Sequence, residues 1–224
     1  MTVRKKLHTW DLSPRQAIRL QDELTRRISL CPMQKRPRFI AGLDCALSKD
    51  KRHIYAAAVV FSFPELELLE TASAKGSLVF PYVPGLLSFR EAPVCLKAVE
   101  KLKHTPDVFL IDGQGVAHPR RLGLASHLGL FLNTPTIGCA KSRLIGTYEE
   151  PEPEKGNFSW LYDKDEKIGA VVRTRTNVKP LFISPSHLCD IDNAIEYTLA
   201  CTTKYRLPEP TRIAHQTVAK VKLA

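Results

Sequence analysis

Three acids stand in unusual places along this 224-residue chain. Asp44 interrupts an otherwise apolar run from Ile40 to Leu47, and Asp112 closes another, Val108 to Ile111. Glu91 lies between them, beside Arg90. A carboxylate pointing off a central strand is costly to bury unless it is paired or binds a cation. Taken singly, each acid reads as half of an ion pair, Glu91 with Arg90 or a nearby lysine and Asp44 with Arg52. Taken together, acids at the ends and faces of neighbouring elements can converge on one point. A hard cation such as Mg²⁺ demands oxygen ligands and suits such a cluster. On a basic protein, metal-dependent cleavage of phosphodiesters is the chemistry to expect. The stretch after Asp112, "DGQGVAHPRRLGLASHLG" (112–129), adds glycines, His118, Arg120, Arg121 and His127. Asp-Gly by itself is a common turn signal.

The elements that must position these groups are legible from periodicity and punctuation. Ser13-Pro14 opens a helix with an apolar stripe at Ala17, Leu20, Leu24 and Ile28. Residues 38–48 read as a strand and 53–63 as its hairpin partner across the basic turn 49–52. A third strand covers Leu66 to Leu78, interrupted or ended near Gly76. Residues 85–103 read as a helix, with Pro93 near a first turn or marking a break. The strand ending at Asp112 follows, then a helix from about Arg121 to Leu132 and a strand over 134–140. The acidic, proline-rich 149–157 reads as an exposed loop. Another strand or hairpin runs through "IGAVVRTRT" and "KPLFIS", and helices over 187–205 and 211–221, the second capped by Thr211, close the chain. Three early strands followed by strand–helix alternation imply one α/β domain over 1–224, a mixed sheet flanked by helices.

Composition narrows the partners. Lys and Arg number 33 against 23 Asp and Glu, a net charge of +10 and a pI near 9.4. That balance suggests a polyanion, and nucleic acid is the usual one. Arg4, Lys5, Lys6, Lys220 and Lys222 make both termini basic. The six cysteines are scattered without a C-x-x-C pair, which argues against disulfides and structural zinc and fits a reducing cytoplasm. No apolar run is long enough to span a membrane, and the N-terminus lacks the apolar core of a secretory signal.

Four stretches, "PYVPGLLSFREAP" (81–93), "DGQGVAHPRRLGLASHLG" (112–129), "PTIGCAKSRL" (135–144) and "YRLPEPTRIAH" (205–215), closely resemble endonuclease V, the deoxyinosine-specific repair nuclease. The resemblance runs in order from about residue 38 to 215. It implies a ribonuclease H-like fold whose metal acids match Asp44, Glu91 and Asp112. It further implies an active-site role for His215 and for Lys141, the latter near the scissile phosphate. Tyr82 falls in the P-Y-x-P wedge that the family pushes into the duplex. Gly85, Leu87, Gly113 and Gly123 match positions lining the hypoxanthine pocket, and His118 and His127 match histidines near the active site. Arg120 and Arg121 are placed for phosphate. The implied reaction, with Mg²⁺ as cofactor and Mn²⁺ as an expected substitute, cuts the second phosphodiester on the 3′ side of deoxyinosine. It leaves 3′-hydroxyl and 5′-phosphate ends. Inosine-containing RNA is an alternative substrate, and a nucleic-acid-binding protein without catalysis is an alternative class. Ribonuclease H activity on hybrids rests on fold analogy alone. A monomer without membrane association is expected.

Overall fold

The structure is a computed structural model that describes residues 7–223; the basic residues Arg4, Lys5 and Lys6 lie outside that range. The chain order is α1 (Pro14–Thr25), β1 (Phe39–Leu47), β2 (His53–Ser62), β3 (Leu68–Ser77), α2 (Leu87–Val99), β4 (Val108–Ile111), α3 (Leu124–Leu132), β5 (Thr136–Ala140), β6 (Phe158–Asp163), β7 (Glu166–Val172), β8 (Leu181–Pro185), α4 (Ile191–Ala200) and α5 (Glu209–Leu223). All eight strands form one sheet in the order β3-β2-β1-β4-β5-β8-β7-β6. β1, β4 and β5 run parallel to one another, and every other pairing is antiparallel. This is the expected mixed sheet flanked by helices.

The continuous apolar strands are explained by burial on both faces. Phe109 and Ile111 of β4 join Ala41 and Leu43 under α2 and α3. Val108 and Leu110 join Ile40 on the opposite face, where α4 packs. The same alternation puts Gly42 and Asp44 of β1 on the face with Ile40. There the first turn of α5 comes so close that a Cβ at position 42 would lie 2.0 Å from the Pro210 carbonyl oxygen. Only glycine lets this helix settle on the strand, and the helix carries His215.

Several boundaries differ from the sequence reading. β3 continues past Gly76 to Ser77. Pro93 sits inside α2 without ending it, because the buried residues on either side hold the helix against the sheet despite the missing N–H. α3 starts at Leu124 rather than near Arg121, since Arg121 has φ +54° and Gly123 is the N-cap. Thr211 lies within α5 rather than capping it; its hydroxyl donates to the Pro208 carbonyl. The strand β6, absent from the sequence reading, forms the sheet edge and pairs with β7. No helix among the described residues is long and apolar enough to cross a membrane.

Candidate active site

β1 and β4 are adjacent and parallel, with Leu43 opposite Ile111, so the next residue of each, Asp44 and Asp112, meets at the carboxyl end of the sheet. α5 brings His215 to the same point. Ligand atoms of Asp44, Asp112 and His215 lie within 4.8 Å of one another. His215 Nδ1 is 2.7 Å from Asp44 Oδ2, and the Lys141 ammonium, just beyond β5, donates to Asp112 Oδ2. Burial raises the Asp44 carboxyl above its ordinary pKa, and the neighbouring Asp112 charge adds to that, while the His215 hydrogen bond opposes it. Two acids and an imidazole drawn together against their own repulsion form a donor set that fits a divalent cation.

Glu91 is close but stands outside that trio. Cys45 points to the face opposite Asp44 and packs towards α2, and Glu91 of α2 lies on this side. Burial pushes the Glu91 carboxyl up to about 7, the Cys45 thiol opposes the shift, and Asp44 and Asp112 reinforce it. His215, named with the acids in the sequence reading, shares the trio with Asp44 and Asp112, and Glu91 lies beside them in the wall of the adjoining cavity.

That cavity, about 190 Å³, opens beside the acids, and its wall includes Glu91, Asp112, Tyr82, Leu87, Gly113 and Gly123. Gly85 and His118 belong to the same wall. Gly85 takes φ +77° in the turn after Pro84, and its carbonyl accepts from Arg120 and from Gln21 of α1. Gly123 has a further reason to be glycine: a Cβ there would lie 2.3 Å from the Gln114 carbonyl oxygen. Burial lowers the His118 imidazole to about 4, with Arg120 adding to the shift, so the ring is neutral at physiological pH. Its Nδ1 accepts from the Arg120 backbone N–H at 3.2 Å. Tyr82 is 72% exposed, with the Arg90 guanidinium 5.5 Å from its ring centroid.

The two arginines expected at phosphate are engaged within the protein. Arg120 donates to Gln21 and Gly85. Arg121 pairs with Asp163 and Glu166 at 2.8 and 2.7 Å, which anchors the loop after Asp112 to the β6–β7 hairpin. His127 is fully buried, bonded to Ser88 and His8 and packed among Trp10, Phe89 and Phe131. It supports the cavity wall from behind through Ser88. Three residues escaped the sequence reading. Gln21 is a polar residue on an otherwise apolar helix face, and that was its signal. Gln114 leaves its Oε1 buried without a partner in the cavity wall. Arg206 donates to the backbone carbonyls of Lys141 and Pro180 at 2.9 and 2.7 Å, fixing the lysine loop.

The sequence model of endonuclease V matches residues 22–216. The chain belongs to the endonuclease V family. Endonuclease V of Petrotoga mobilis is 47% identical over 211 residues, covering 94% of this chain and 95% of that protein. The crystal structure of endonuclease V from Streptomyces avermitilis superposes with a TM-score of 0.91 at 41% identity, covering 95% of this chain and 94% of that one. Endonuclease V of Ciona intestinalis was crystallised in complex with a 24mer DNA containing an inosine followed by a ribo-adenosine. It has a TM-score of 0.80 and 30% identity, covering 91% of this chain and 95% of that one. Members of the endonuclease V family are nucleases, hydrolases of phosphodiester bonds, and the ribonuclease H-like architecture is common to these structures.

Proposed function

We propose that this protein cleaves DNA at deoxyinosine, hydrolysing the second phosphodiester 3′ to the lesion and leaving 3′-hydroxyl and 5′-phosphate ends. The observation that carries the proposal is the junction of two features at Asp112: a carboxylate–imidazole trio on one side and a base-sized cavity on the other. The inosine-containing DNA bound by the Ciona relative supports the choice of lesion.

Each residue has a role that its position supports. Tyr82, exposed on the turn that Gly85 and Arg120 brace, fills the gap in the duplex when the lesion base leaves it. Inosine pairs weakly, so its extrusion costs less than that of a normal base. Backbone at Gly85, Gly113 and Gly123, with Leu87, encloses the extruded base. Neutral His118 offers a hydrogen bond without a charge, and the side-chain Oε1 of Gln114 offers an acceptor. Asp44, Asp112 and His215 would hold a divalent cation, Mg²⁺ or Mn²⁺, with Glu91 adjacent. Such a cation, when bound, activates water and stabilises charge on the phosphate and leaving oxygen. Lys141, released from Asp112, neutralises the scissile phosphate. A base held in the cavity while the carboxylates lie farther along the strand gives the 3′ offset.

A duplex with one deoxyinosine and a labelled 5′ end tests the reading. The expected result is one cut, at the second 3′ phosphodiester, that requires Mg²⁺ or Mn²⁺ and disappears in EDTA. Faster cleavage of the matched inosine RNA would move the substrate to RNA. Binding of either strand with no cutting under any divalent cation would leave a binding protein and end the nuclease proposal.

A further inference from the structure

The edge strand β6 carries a feature that the nuclease site does not use. Phe158, Trp160 and Tyr162 alternate along it and share one side of the strand. With Tyr148, from the loop that leaves β5, they wall an open groove of about 600 Å³. Phe158 and Tyr162 are 41% and 37% exposed, although Thr147 bridges the edge they stand on at Tyr162. Phe158 and Trp160 meet edge-to-face at 4.9 Å. One cation lies against these rings: Lys167 Nζ is 3.7 Å from the Trp160 centroid. The Tyr148 ring packs on Phe182, with the Arg143 guanidinium 5.7 Å from its centroid.

Three of the seven neighbouring acids between positions 149 and 166 are already paired. Glu150 pairs with Arg173, and Asp163 and Glu166 pair with Arg121. Glu149 is the carboxylate in the groove wall itself. The groove is linked along the chain to the site already described. Leu144 lines the base cavity, and Tyr148, four residues later, belongs to the groove wall. One short loop, 141–148, therefore has the catalytic lysine at its start and the aromatic groove at its end.

We propose that this groove holds unpaired nucleotides flanking the cut site, their bases stacked on Phe158, Trp160 and Tyr162 and a phosphate met by Lys167. The proposal rests on the nucleic-acid reading above and adds a second subsite to it. Stacking suits the observations because every base offers a π-face, so a row of exposed rings beside a lysine binds single strands whatever their sequence. Duplex bases are already stacked on each other and cannot reach the rings. Addition of a strand from a second copy is less suited, because Thr147 already pairs with Tyr162 in both directions, at 2.7 and 2.9 Å, and covers part of the edge.

The chain has two tryptophans, so Trp10→Phe leaves Trp160 as the only one. In that background, in EDTA and without inosine, oligothymidylate should quench Trp160 fluorescence saturably, and added salt should weaken the binding. Phe158→Ser should raise the Kd at least about fivefold. Phe158→Leu keeps the apolar bulk and loses the ring, so it carries the same expectation in a variant that folds normally. Absence of quenching, or equal affinity in both Phe158 variants and their parent, overturns the proposal. A concentration-dependent dimer in sedimentation that Phe158→Ser abolishes would assign the groove to a second copy and also overturns it. Inosine cleavage read in parallel separates the two claims: quenching without cleavage removes the nuclease reading alone, and cleavage without quenching removes the groove alone.

Discussion

Replacing Gly42 with alanine adds one methyl group between β1 and α5 and tests how the trio is held. That methyl would stand 2.0 Å from the Pro210 carbonyl oxygen and 2.1 Å from its carbonyl carbon. Both sides of the clash are backbone, so no rotamer change relieves it. Moving the nearest contact from 2.0 Å to an ordinary 3.4 Å requires the first turn of α5 to retreat about 1.4 Å. His215, five residues along the same helix, moves with it and loses its 2.7 Å bond to Asp44. Overpacking of this kind costs roughly 1–3 kcal/mol. In a chain of this size each kcal/mol shifts Tm by about 2–4 °C, so the upper end corresponds to a fall of about 6–12 °C. A misplacement near 1 Å at a reacting centre costs on the order of 10²-fold in rate. The assay pairs a thermal melt with single-turnover cleavage of inosine DNA. Gly76→Ala is the matched control, since its added Cβ finds nothing closer than 3.6 Å. If Gly42→Ala melts with the control and cuts at the wild-type rate, the strand–helix contact does not position His215 and the reasoning fails.

Glu91 should make the metal-free protein less stable as pH rises: its folded pKa of about 7 exceeds the ordinary 4.5. Between those values the folded state holds a proton that the unfolded state has released, so stability is lost across that window, by roughly 3 kcal/mol at most. Melts in EDTA should show this slope and Glu91→Gln should flatten it; an unchanged slope places the titration elsewhere. Tyr82→Ala should weaken binding to an inosine duplex by about 1–3 kcal/mol and affect inosine single strands much less; equal losses on both would make Tyr82 a packing residue. Arg121→Gln should cost about 1 kcal/mol of stability, because its partners Asp163 and Glu166 are partly exposed. The same change should leave the salt dependence of DNA binding unaltered, whereas a slope lowered by about one would return Arg121 to phosphate. Mg²⁺ should raise the Tm of the wild type by mass action and do much less for Asp44→Asn, measured by calorimetry in titrated metal; equal gains would place the cation elsewhere.

The central strands were readable because burial on both faces leaves long apolar runs, and an acid inside such a run, as at Asp44, is conspicuous. Asp112 was readable for the same reason. β6 was not, since "FSWLYD" mixes aromatic and polar residues as a half-exposed edge does, and the acidic loop before it suggested continued irregular chain. The helix start near Arg121 failed because that residue takes a left-handed conformation, which sequence does not announce for arginine. That His215 shares the tight trio while Glu91 lies beside it depends on which face of β1 each residue approaches, a three-dimensional fact with no local signature. His215 itself came from resemblance, because a lone histidine on an exposed helix surface carries no pattern of its own. The engagement of Arg120 and Arg121 within the fold was equally hidden, as their partners lie 99 positions before and 42 and 45 positions after them.

The division of the site between two parts of the fold bears on damaged or partly folded molecules. The base cavity is built by α2 and the loop between β4 and α3, while the imidazole arrives on α5, 171 residues after Asp44. Loop closure over so long a stretch of chain must be made before the trio exists, and closures of this kind are slow to form. A chain in which α5 has come loose keeps the cavity walls and loses the imidazole from the trio.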